Sequence, residues 1–103
     1  MENRVTLLEQ FRNALTGYAN RDLTHARNIE YVIFIPLELI KEDKGETDKF
    51  IEFSRLVKDT EEWNCPVNMI PTTEGAVKGI EMVFTFNQET KYSDIINKLE
   101  TYL

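Results

Sequence analysis

The stretch IEYVIFIPLELIKEDKG, residues 29–45, is the most apolar run of the chain and the one that most constrains its fold. Its nearly uncharged part, Tyr31 to Leu37, is far shorter than the roughly 18–20 residues a membrane-spanning helix needs. With period two, Tyr31, Ile33, Ile35, Leu37 and Leu39 form one apolar face. Glu30, Val32, Phe34, Pro36, Glu38 and Ile40 form a mixed one. That alternation predicts a long strand with one face in a core. Pro36 has no N–H to donate and suits an edge or a bulge. A second reading ends the strand at Ile35 and starts a short helix, with Pro36 at its first position and Gly45 just past its end.

The remaining segments supply what such a strand packs against. Val5, Leu8, Phe11, Leu15 and Tyr18 form the stripe of an amphipathic helix beginning near Asn3. A stop or kink is expected between residues 17 and 22, at Gly17 or the turn formers Asn20 and Asp22. Thr47 is placed to cap a helix whose buried face is Phe50, Phe53 or Ile51, Leu56 and Val57. A short strand is expected near 67–70, between Pro66 and Pro71, with TTEG as the hairpin connection. Ala76 to Phe86 reads as a second long strand with Ile80, Met82, Phe84 and Phe86 inward. Thr90 or Ser93 is placed to cap a last helix bearing Ile95, Ile96, Leu99 and Tyr102.

The predicted order is α-β-α-β-β-α in one α+β domain spanning residues 1–103, with residues 1–28 a helical segment packed on it. Three strands form a mixed sheet, with a parallel crossover joining the first two strands and a hairpin joining the last two. The 103-residue length and 42% hydrophobic content suffice for one core.

If residues 36–44 are helical, the core order becomes β-α-α-β-β-α and resembles that of KH-type RNA-binding domains. Those domains hold the nucleic-acid backbone with a Gly-x-x-Gly loop between their first two helices. Here the junction reads EDKGETD, with Gly45 alone among Glu42, Asp43, Glu46 and Asp48. Phosphates would be repelled there, so the resemblance implies topology and not activity. MIPTT, residues 69–73, resembles the Ile-Pro-Thr of thioredoxin-like proteins, which also precedes a hairpin and a helix. The redox Cys-x-x-Cys is missing, and that likeness too concerns topology alone.

Counting reactive groups narrows the chemistry. His25 and Cys65 are single and lie in separate segments, with no nucleophile motif around either. A lone cysteine forms no intrachain disulfide, and the segment after Met1 has no signal-peptide pattern; a cytoplasmic protein is expected. Two Cys/His residues do not make a tetrahedral zinc site. Aligning Gly45 with the sixth position of a calcium loop puts Ile40 and Ile51 at the two ligand ends, so that reading fails. The four glycines never cluster into a phosphate cradle. The expectation is a protein with no cofactor, no metal and no catalytic centre.

Surface chemistry remains. The net charge is −6, and residues 38–62 hold nine acids against five bases. Within them Asp59, Glu61 and Glu62 precede Trp63, the single tryptophan, a residue type enriched at interface centres. A non-catalytic module, an adaptor or a phage- or plasmid-type small inhibitor, is expected to use these residues on a basic protein partner. Two alternatives stand beside it. Arg4, Arg12, Arg21 and Arg27 gather in the N-terminal segment and define an anion-binding, nucleic-acid reading. Val32, Phe34 and Val83 share the outer sheet face and define a homodimer reading, at whose interface a small-ligand or enzymatic site could assemble.

Overall fold

The computed structural model describes residues 6–20, 28–42 and 44–103. In chain order they form α1 (Leu7–Ala19), β1 (Ile29–Pro36), α2 (Leu37–Glu42) and α3 (Lys44–Asp59). A single 3-10 turn (Glu61–Trp63), β2 (Val67–Glu74), β3 (Val77–Phe86) and α4 (Tyr92–Glu100) follow. The class is α+β, as expected, and the order of elements is that of the second reading, an N-terminal helix followed by β-α-α-β-β-α. No helix among the described residues is long and apolar enough to cross a membrane.

The sheet is antiparallel throughout, in the order β1-β3-β2, and this corrects the mixed sheet read from sequence. β1 and β2 do run in the same direction, but β3 lies between them. The physical reason is local: β2 and β3 close a hairpin over Gly75 and Ala76, and β1 then pairs with the free edge of β3. Gly75 occupies the first central position of that turn with φ 61°, a conformation glycine adopts without steric cost. β2 is longer than expected and continues through Pro71 to Glu74. As an edge strand it tolerates a residue without an N–H.

β1 stops at Pro36, where its last rung is opposite Gly79, and α2 begins at the next residue. The strand therefore does not reach Leu39. Beyond Pro36 a helix brings the half-buried Leu39 and Ile40 together against the core, which an alternating strand would split between two faces.

α1, α3 and α4 cover one side of the sheet. Ile33, Ile35, Val67, Met82, Phe84 and Phe86 meet Leu8, Leu15, Phe50, Phe53, Val57, Ile95 and Leu99 in one buried cluster. Phe11 sits at its hub, its ring centroid 4.5 Å from that of Phe84 and 5.8–6.1 Å from those of Phe53, Tyr31, Phe86 and Phe50. α1 is started by a capping box: Glu9 N–H donates to Thr6 Oγ1 at 3.1 Å, and the Glu9 carboxylate accepts from Thr6 N. The helix ends at Ala19 with Asn20 as its cap, inside the expected window.

Two expected caps are displaced. α3 begins at Lys44, so Thr47 lies inside the helix, 1% exposed, with an Oγ1 that has no hydrogen-bond partner among the described residues. α4 has Lys91 at its N-cap position without a side-chain cap, and the Thr90 hydroxyl is engaged elsewhere.

Candidate functional site

The loop after α3 is held at both ends. Thr60 returns its N–H and its hydroxyl to the Leu56 carbonyl at 2.9 and 2.8 Å, closing the helix. Trp63 N–H then donates to Thr60 O, and Asn64 N–H to Glu61 O, both at 3.1 Å. Asn64 adopts φ 54° and ψ 48°, a left-handed conformation that asparagine tolerates better than most side chains.

A second loop, residues 87–91, is stitched to the first. Lys91 N–H donates to Trp63 O at 2.9 Å, and Asn64 Nδ2 donates to Glu89 O at 3.3 Å. The buried Thr90 hydroxyl donates to Asn64 O and accepts from Asn87 N–H, each at 2.9 Å. Asn87 Oδ1 in turn accepts from Glu89 N–H at 2.8 Å. Thr90 thus ties the two loops together, a role its sequence position before a helix concealed.

On this frame Asp59, Glu61 and Glu62 are exposed. Trp63 is half-buried and packs against the core. Beside it opens a groove of about 410 Å³. Val57, Cys65, Pro66 and Val67 give it an apolar lining, while Lys58, Glu61, Asn64 and Asn87 supply its polar positions.

Cys65 is buried, and that burial pushes its thiol pKa up to about 12. At neutral pH it is a protonated thiol and a poor nucleophile. His25 lies outside the described residues, as do Arg4, Arg21 and Arg27. Among the described residues no group of three His, Cys, Asp or Glu is placed to hold a metal ion.

Arg12 is half-buried on α1 beside a depression of about 530 Å³ shared with Glu9, Glu46 and Lys49. The Glu46 carboxylate accepts from Leu7 N–H there at 2.9 Å, linking α3 to the start of α1. The charge around Arg12 is mixed rather than basic.

The third expected set is brought together on the outer face of the sheet. Val32 and Val83 are directly opposite on neighbouring strands, and Phe34 follows two residues along. α1 packs on the other side, against Tyr31, Phe84 and Phe86. Ile70, 45% exposed, extends the outer apolar group onto β2. Sequence reasoning left it out of the outer-face set, although its alternation with Val67 and Met69 carried the signal. No protein-family model, curated protein or solved structure matches this chain.

Proposed function

We propose that this chain is a protein-binding module without catalysis of its own, an adaptor or small inhibitor that engages a basic partner through Asp59, Glu61, Glu62 and Trp63. The observation that carries the reading is the double hydrogen-bonded frame under these residues. A loop already ordered before association loses little conformational freedom on binding. The three carboxylates steer a cationic surface toward it, and the exposed part of Trp63 supplies apolar contact at the centre. A reducing cytoplasm suits the single buried thiol.

The test is affinity capture from host lysate with the native chain beside a Glu61→Lys/Glu62→Lys double variant and Trp63→Ala. A protein held by the native chain, released as salt is raised and lost by both variants, is the expected result. Captured sets that are the same for all three chains would overturn the proposal.

A further inference from the structure

The outer face of the sheet has a chemistry of its own and shares no residue with the tryptophan loop. Its apolar centre is Val32, Val83, Phe34 and Ile70, with Val32 51% and Ile70 45% exposed. α1, α3 and α4 pack on the opposite side of the sheet. In the middle, on the central strand, sits Glu81, in one cross-strand row with Phe34 on one side and Ile70 on the other. The other ionisable residues of this face are Glu30, opposite Thr85, and Glu74, opposite Val77. Among the described residues of the face there is no Lys or Arg.

That arrangement selects its occupant. An apolar surface laid over Val32, Val83 and Ile70 removes Glu81 from water, and a buried carboxylate without a partner is strongly unfavourable. The occupant must bring a cation. A second copy of this chain does not: packed face to face about a two-fold axis, it would bring one Glu81 toward another with no base on either face to separate them. Three strands about 4.8 Å apart span about 10 Å, the width of one α-helix. We infer that the outer sheet face docks an amphipathic helix of another protein, one that sets a Lys or Arg from the edge of its apolar stripe over Glu81.

Two synthetic helical peptides with the same leucine stripe test this, one with lysine and one with glutamate at its polar positions. Each is titrated into the 15N-labelled full chain. The lysine peptide is expected to shift the amides of Val32, Phe34, Ile70, Glu81 and Val83, and the glutamate peptide to leave them unmoved. Glu81→Gln, at an only half-buried position, should retain the native melting temperature and weaken the lysine peptide on the order of tenfold. Shifts confined to residues 59–64, equal binding of both peptides, or no weakening by Glu81→Gln would each overturn the inference. Sedimentation of the full chain is expected to show a monomer. A dimer dispersed by Val32→Asp would show that a second copy occupies the face and would also overturn it. None of these results depends on the loop, so this inference and the proposed function fail separately.

Discussion

The ring of Phe34 lies across Gly79 of the neighbouring strand. A Cβ built on Gly79 would stand 2.6 Å from Phe34 Cζ and 2.8 Å from Cε1, and would also strike the carbonyl oxygen of Ile35. Glycine is needed at 79 for close approach. The missing side chain lets the aromatic ring cover the strand backbone, and the ring in turn shields a residue with nothing of its own to pack. Phe34 is thereby held in place on the outer face.

Gly79→Ala should therefore destabilise the fold by about 1–3 kcal/mol in denaturant unfolding, the usual cost of forcing atoms into filled space. Phe34→Ala in the same chain should recover part of that loss, because the ring no longer collides. Recovery should be incomplete, since the Ile35 oxygen stays where it is. A double-mutant cycle with no coupling between the two positions would contradict the contact.

Thr90→Val removes a hydroxyl that serves two loops. Asn87 N–H and Asn64 O then lose a partner at a site where Thr90 is buried. A loss of about 1–3 kcal/mol is expected, with faster amide exchange concentrated in residues 61–64 and 87–91. Serine at the same position keeps the hydroxyl and should lose less.

Thr47→Val tests the opposite case. The Thr47 hydroxyl is buried without a partner among the described residues, so it contributes a desolvation penalty and no bond. Replacing it with a methyl group of similar shape should raise stability by about 1 kcal/mol, read as a higher denaturation midpoint at unchanged slope. A loss of stability would mean that the hydroxyl finds a partner in solution.

Cys65 sets a pH dependence. Its thiol pKa stands near 12 in the folded chain against the ordinary 9.0, and burial is the cause. Above pH 9 the unfolded chain gives up this proton while the folded chain keeps it, so stability falls as pH rises from about 9 toward 12. Below pH 9 the contribution is fully present. Tyr31 and Tyr92 are also raised by burial and act in the same direction. Cys65→Ala should flatten the alkaline decline measured by thermal unfolding. Thiol labelling at neutral pH should be slow in the native chain and fast in denaturant.

Much of the candidate surface was legible because it follows from alternation and charge. Val32, Phe34 and Val83 share a face by parity alone, and the Asp59–Trp63 segment declares itself by composition. The frame beneath that segment was not legible. Thr90 has the residue type and position of a helix cap, and only the proximity of Asn64 shows that its hydroxyl bonds across 26 residues of sequence. The start of α1 could have been read: Thr6-Leu7-Leu8-Glu9 has the Thr-x-x-Glu spacing of a capping box.

By itself the sequence determined which side chains face inward. Burial of Ile33, Ile35, Met82, Phe84 and Phe86 on strands, and of Phe11, Phe50, Ile95 and Leu99 on helices, repeats a periodicity set by local backbone geometry. The tertiary structure alone decided that β3 is the central strand, that every pairing is antiparallel and that the chain turns helical after Pro36. Those outcomes depend on which hydrogen-bonding edges and apolar surfaces meet across long stretches of chain, which no local period specifies. Glu81 carries that distinction: its sequence makes it an acid between apolar neighbours, and only the strand order puts it at the middle of an open face.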